Sequence, residues 1–280
     1  MIAKKRIKIA LQYLALLLLT FIALFPLLWT VASSFRTDEE IFKYIMPFTI
    51  NTIVPVEPTA QAYIDLFTVF NFQRPVMNSL ITAFGTIALS LVVNGIAAFG
   101  FATFDFKFKN VLYGIVLVSF MVPFDSIVVS LYSIVSDLGW VDTYQGLIVP
   151  GIANGLVLFL FVQFFRDIPV TFYEAARLDG AKWSTIFVRI LVPLSVPVLI
   201  TGALMVFMDT WNSFLWPLLV AHGRDMRLIQ VSLSDFKQEH STNWSAMYAA
   251  TCISAIIPIV LYLPFQKYYV QGVTASGIKG

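Results

Sequence analysis

Six apolar runs, each close to the ~20 residues that cross a bilayer, decide what this chain can fold into. They are 9–31, 76–102, 111–134, 147–165, 196–221 and 246–265. At ~1.5 Å per residue a helical run of this size covers the ~30 Å hydrocarbon core. Period-2 alternation is absent, which argues against a transmembrane β-barrel. Composition agrees. Of 280 residues 59% are apolar and 12% are charged, about half the charged share of a soluble domain. The mean hydropathy is +0.82. A cytosolic enzyme, a disordered chain and a nucleic-acid binder are excluded. The expected fold is an all-α membrane protein, a single transmembrane domain of six helices over 1–280.

Lys4, Lys5, Arg6 and Lys8 precede the first run. It is about twice the length of a signal-peptide core and no A-x-A site closes it, so a retained first helix is expected. Six spans put both termini on one side. With the N-terminus inside, twelve Lys and Arg fall in the inside segments and six in the outside ones. The positive-inside rule therefore places both termini in the cytoplasm, and the acids lean outward. Trp29, Trp140, Trp216 and Trp244 lie near span ends, as interfacial tryptophans do. One cysteine, Cys252, and two histidines leave no intrachain disulfide and no histidine- or cysteine-rich metal site.

The outside segment 33–75 carries Pro47, Pro55 and Pro58; it reads as too polar to cross and too short for a core of its own. The outside segment 222–245 reads as polar and mobile. The inside segment 166–195 is neither span nor loop. Pro169 suits a first helical turn, and Thr171 with Glu174 has capping-box spacing. Gly180 suits the left-handed end of a helix. A second amphipathic helix follows, with Trp183, Ile186, Phe187 and Ile190 on one side, and Pro193 and Pro197 mark the return to the membrane. Physics alone gives a helix-turn-helix at the cytoplasmic surface and favours a plain interfacial amphipathic element.

The spacing of Glu174, Ala175, Ala176, Gly180, Ile190 and Pro193 resembles the E-A-A-x-x-x-G-x(9)-I-x-L-P signature of permease subunits of binding-protein-dependent ABC importers. Val192 stands where leucine is usual. The extension through Asp179 and Ala181 is similar to the carbohydrate-importing branch. Asn78-Ser79-Leu80, Trp211-Asn212, Trp216-Pro217 and the tail from Gln266 to Gly280 also resemble that branch. The tail and span count resemble the smaller of its two permease subunits, as in the maltose importer.

The resemblance implies a coupling helix over 166–195, with Glu174, Ala175, Ala176, Asp179 and Gly180 docking on an ATPase. It implies a second permease subunit, two ATPase subunits that bind ATP and Mg, and an external solute-binding protein. The chain itself would bind no cofactor. By the same resemblance the loop 221–245 reaches the binding protein, and the tail, with Thr274, Ser276 and Lys279, reaches the ATPase interface. The implied cargo is a sugar, an oligosaccharide by the motif's form, with glycerol-phosphate-type solutes as the alternative.

Polar residues within spans must face protein or water. Asp125, Asp209, Trp211 and Asn212 are the candidates for a substrate pathway, with structural helix–helix contact as the equal alternative. Sugar sites pair aromatic platforms with amides and carboxylates. Gly151 and Gly155 have the small-x-x-x-small spacing of close helix packing. No G-x-x-x-x-G-K-[ST] loop occurs, so a separate ATPase is expected. No catalytic or metal constellation occurs, which leaves an intramembrane enzyme unsupported. An ion-coupled carrier is the rival class, and it would call for more buried carboxylates or an inverted repeat.

Overall fold

The computed structural model describes residues 2–47, 49–237 and 242–268. Among them every regular element is helical, and one isolated bridge joins Lys237 and Thr242. In chain order the α-helices are α1 (Ile2–Ser34), α2 (Asp38–Lys43), α3 (Ile50–Ile53), α4 (Gln61–Thr68), α5 (Gln73–Thr103), α6 (Lys109–Ser119), α7 (Phe124–Asp137) and α8 (Tyr144–Ile148). Then follow α9 (Gly155–Arg166), α10 (Thr171–Leu178), α11 (Trp183–Ile186), α12 (Val192–Leu194), α13 (Val196–Asn212), α14 (Leu215–Val220), α15 (Ile229–Asp235) and α16 (Trp244–Tyr262). Among the described residues three stretches are long and apolar enough to cross a membrane alone: Leu11–Ser34, Gln73–Thr103 and Trp244–Tyr268. Three further candidates are bent pairs. Lys109–Ser119 meets Phe124–Asp137 at 94°, Tyr144–Gly151 meets Gly155–Arg166 at 46°, and Trp183–Leu194 meets Val196–Asn212 at 82°. The third and fourth apolar runs are thus broken rather than straight. Pro123 and Pro150, at the breaks, cannot donate to a helical ladder.

The chain divides into two compact units, 1–73 with 232–256, and 74–231 with the residues from 257. The first unit corrects the expectation that 33–75 is too short to have a core. Ile41, Leu66 and Phe72 are almost fully buried there, and the Phe236 ring stands edge-on to Phe70, with centroids 5.1 Å apart. Arg36 is buried at its centre. Its guanidinium donates to Thr52 O (3.0 Å) and Asn51 O (2.7 Å) and lies 3.6 Å from Glu40. Glu40 Oε1 in turn accepts from Val56 N at 2.7 Å. A polar, proline-rich segment can build a core this way because the buried charge is paired and the two terminal nitrogens of the guanidinium donate to carbonyls. Trp244 N and Ser245 N donate to the Asp38 carboxylate, which holds the start of α16. Tyr63 and Ser34 share a 2.8 Å hydroxyl contact, and burial raises the Tyr63 phenol pKa.

In the second unit α5, α9, α13 and the 173–191 region share one hydrophobic core. Gly202 of α13 lets α9 approach: a Cβ there would stand 2.7 Å from the Phe161 ring. Gly155 sits directly against the Phe120 ring, and a Cβ on Gly151 would touch Thr86 at 3.4 Å. The small-x-x-x-small pair therefore serves close packing. Trp216 lies in a core with Val128, Val135 and Leu147 and donates its indole N–H to Gly146 O at 3.0 Å. Its position at a span end reflects internal packing rather than an interfacial tryptophan.

Candidate functional site

The 166–195 segment folds as a short helix, a left-handed turn and a second helix. α10 begins without the expected capping box: no side chain caps it, and Phe172 N and Glu174 N donate to the carbonyls of Pro169 and Val170. Thr171 lies inside the first turn rather than ahead of it, with Val170 at the N-cap, and Glu174 N donates to Val170 O instead of to the Thr171 hydroxyl. Glu174 is left exposed on the solvent face. Gly180 does end the helix. Its φ is +82°, its N–H donates to Arg177 O (3.0 Å), and Ala181 N donates to Ala176 O (2.9 Å). This pair of bonds is the Schellman closure, which needs a residue free to take positive φ.

The second helix starts as α11 and passes through a π turn over Phe187–Leu191 into α12. Pro193 has no N–H to give, and the widened turn absorbs the missing bond. Of the expected face, Ile186 is fully buried and Phe187 and Ile190 are partly buried. Trp183 is 38% exposed but packs at its edge.

An aromatic cluster ties this segment to α5. The Phe99 ring lies 5.3 Å from Phe187, 6.2 Å from Trp183 and 6.4 Å from Tyr173. Phe104 meets Trp183 edge-on at 4.8 Å. Such offset and edge-on pairs are each worth ~0.5–1.5 kcal/mol beyond area burial. Burial also raises the Tyr173 phenol pKa, so this anchor stays neutral. Arg177 clasps the two helices: it donates to Ala181 O at 2.9 Å, and its guanidinium lies 5.1 Å from the Trp183 ring centre.

What the anchored helix leaves outward is specific. Glu174, Ala175 and Asp179 are exposed beside Leu178, a leucine 90% exposed, while Ala176 is half-buried. The sequence motif assigns a role to neither Leu178 nor Arg177. The signal was available, since Leu178 lies i+4 from Glu174 and so shares its helix face.

The four pathway candidates do not converge. Asp209 and Asn212 share an exposed face of α13, three residues apart, and Asn212 donates its side-chain amide to Met208 O at 2.7 Å. Trp211 points elsewhere. It is 2% exposed and stacks on Phe207 at 5.5 Å, so its ring faces are already covered. Asp125 is exposed in the first turn of α7, where a helix N-terminus favours an acid. Other in-span polar groups are structural. Asn94 donates to Ser90 O and Ile152 O, and Asn154 caps α9 by accepting from Leu156 N and Val157 N.

The segment after α14 is not free either. Asn78 donates to Asp225 O (2.7 Å) and Arg227 O (3.1 Å) and accepts from the Tyr144 hydroxyl at 2.8 Å. Ser79 Oγ accepts from Ile229 N, and Asp142 accepts from Gly223 N, both at 2.8 Å. Arg74 pairs with Asp225. The expected mobile probe is therefore tied down over 221–229; residues 238–241 lie outside the described residues. So do Thr274, Ser276 and Lys279 of the tail.

Apolar helices of this length with half-buried polar groups define an α-helical integral membrane protein. Residues 92–274 match the family model described as binding-protein-dependent transport system inner membrane component. The chain belongs to that family, as a membrane component of a transport system. It is similar to the arabinooligosaccharides transport system permease protein AraQ of Halalkalibacterium halodurans, with 30% identity over 94% of this chain and 93% of the relative. The trehalose/maltose transport system permease protein MalG of Thermococcus litoralis is 32% identical, with 94% of each chain covered. The sn-glycerol-3-phosphate transport system permease protein UgpE of Rhizobium meliloti is 28% identical, with 99% of each covered. In fold the chain matches a crystal structure of a bacterial ABC transporter involved in the import of the acidic polysaccharide alginate. The TM-score is 0.83 at 20% identity, over 95% of this chain and 98% of that one.

Proposed function

We propose that this chain is one permease subunit of an ATP-driven importer of a sugar, and that α10 is its coupling helix. The observation that carries the reading is the outward face of α10: Glu174, Ala175, Leu178 and Asp179 exposed on a helix whose other side is locked into an aromatic core. Leu178, 90% exposed, offers a docking partner an apolar side chain that has no packing within this chain to lose. On this reading two ATPase subunits bind ATP and Mg and close. The docked α10 moves, and Phe99 and Phe104 carry the displacement into α5 because packed rings transmit rather than absorb it. The inward- and outward-facing states then differ in energy through the ATPase contact.

In this reading the chain spans the membrane six times as a single transmembrane domain, with both termini in the cytoplasm. It forms half of the pathway with a second permease subunit, receives cargo from an external binding protein, and has no ATPase site of its own. Asp125, Asp209 and Asn212 face that shared pathway, whereas Trp211 holds α13 in place. The tail, through Thr274, Ser276 and Lys279, reaches the ATPase interface. An oligosaccharide is the proposed cargo, in keeping with the arabinooligosaccharide and trehalose/maltose relatives. A glycerol-phosphate-type solute is the second reading, favoured by the likeness to UgpE. A phosphorylated cargo calls for Arg or Lys facing the path, and no span centre in this chain carries one.

Leu178→Asp tests the assignment. The variant should insert and extract normally, yet lose most ATPase co-purification and most ATP hydrolysis stimulated by the loaded binding protein. Unchanged co-purification would overturn the coupling role of α10. Ligand binding by the external binding protein decides between sugar and phosphorylated solute.

A further inference from the structure

Between the first turn of α6 and the end of α9 lies an open cavity of about 520 Å³, lined by Asp105, Phe106, Phe108, Lys109, Asn110, Val111 and Arg166. It lies apart from the outward face of α10 and from the pathway candidates, and only Arg166, the first residue of the 166–195 segment, belongs to both. Two cations converge on it against one carboxylate. The Lys109 side chain is 16% exposed and sits 3.2 Å from an Asp105 carboxylate that is fully in solvent. Arg166 is exposed, and its guanidinium lies 5.5 Å from the Tyr113 ring centre. Asn110 and Val111 occupy the second and third positions of α6, where backbone amides have no acceptor inside the helix. Phe108 adopts φ +66°, an uncommon conformation for a bulky residue, and its ring is left 63% exposed at the rim.

We propose that this cavity binds the phosphate headgroup of an anionic phospholipid. Lys109 and Arg166 supply charge-assisted hydrogen bonds to the phosphate, and the α6 amides face its remaining oxygens. The Asn110 side chain suits a headgroup hydroxyl. The lipid, rather than a free anion, follows from what adjoins the cavity. Val111, Ile115 and Val118 form an exposed apolar stripe running away from it along one face of α6, at 58%, 60% and 64% exposure. A phosphate ion has no use for that stripe, and an acyl chain does. The site lies where a basic residue at the membrane boundary meets anionic headgroups. Arg166 also stands five residues before α10, so lipid occupancy bears directly on the start of the coupling segment. The proposal depends on the functional reading above only for which leaflet supplies the lipid.

The test is native mass spectrometry of the intact detergent-extracted transporter. Phosphatidylglycerol, phosphatidylcholine or inorganic phosphate is added in turn. Wild type should retain phosphatidylglycerol over phosphatidylcholine. Lys109→Gln with Arg166→Gln should cut that preference roughly thirtyfold, as loss of two basic contacts implies. Lys267→Gln, a cation outside the cavity, should leave it unchanged. Asp105→Asn removes the competing carboxylate and should raise retention, which decides the matter even if the double variant fails to assemble. No lipid preference in wild type, an unchanged preference in the double variant, or lower retention in Asp105→Asn would overturn the proposal. Displacement of phosphatidylglycerol by inorganic phosphate at equal concentration would make it a free-anion site and overturn the lipid assignment. The readout needs no ATPase activity, so it fails or holds separately from the coupling role of α10.

Discussion

Gly180→Ala isolates one physical quantity. The glycine holds φ +82°, and a β-carbon built there meets nothing within 4 Å. The substitution therefore adds no clash and no contact, only the cost of the left-handed conformation, ~1–2 kcal/mol for an L-residue with a β-carbon. At ~1.4 kcal/mol per factor of ten, the closed turn becomes about five- to thirtyfold less favoured against its open forms. The bond from Ala181 N to Ala176 O reports on it directly. Hydrogen exchange at Ala181 should accelerate by that factor, while amides of α13 exchange as before. ATP hydrolysis stimulated by the loaded binding protein in proteoliposomes should fall in step. Gly180→Asn should recover much of the loss, because asparagine tolerates the left-handed region. Exchange at the wild-type rate in Gly180→Ala would refute the turn argument. An asparagine variant as impaired as alanine would show that side-chain volume at the docking surface, not backbone conformation, sets the effect.

Asn78→Ala removes the donors to Asp225 O and Arg227 O and strands the Tyr144 hydroxyl; it should cost ~1–3 kcal/mol and raise hydrogen exchange over 223–229, with α9 unaffected. Gly202→Val pushes a side chain into the Phe161 ring and should destabilise the helix pair by ~1–3 kcal/mol, read as a lower thermal midpoint of the extracted transporter. Arg36→Ala leaves Glu40 buried without its cation and should cost ~3–5 kcal/mol; limited proteolysis should then cut within 37–60 first.

Much of the site was legible in the sequence because its chemistry is local. The turn at Gly180 follows from one residue's conformational freedom, and the helix break near Pro193 from one missing N–H. The 3.6-residue period puts Leu178 and Glu174 on one face. The capping box at Thr171 does not form for an equally local reason: the N-cap falls one residue early, on Val170, and the Thr171 hydroxyl lies inside the helix.

Length and apolarity of the runs determined the class of the protein, since a bilayer accepts only segments that satisfy their own backbone. Tertiary structure decided which polar residues are available. Asn78 meets partners 147 and 149 residues away, and no period in the sequence encodes that pairing. Arg36 looks like a loop cation until Thr52, Asn51 and Glu40 close around it. Trp211 and Asp209 look like one constellation until α13 turns one into the core and the other to the surface. Burial is a property of what packs against a residue, and that depends on distant segments whose approach is set by glycines such as Gly202 and by rings such as Phe161. The sequence names the groups, and the packing assigns each of them to core or surface.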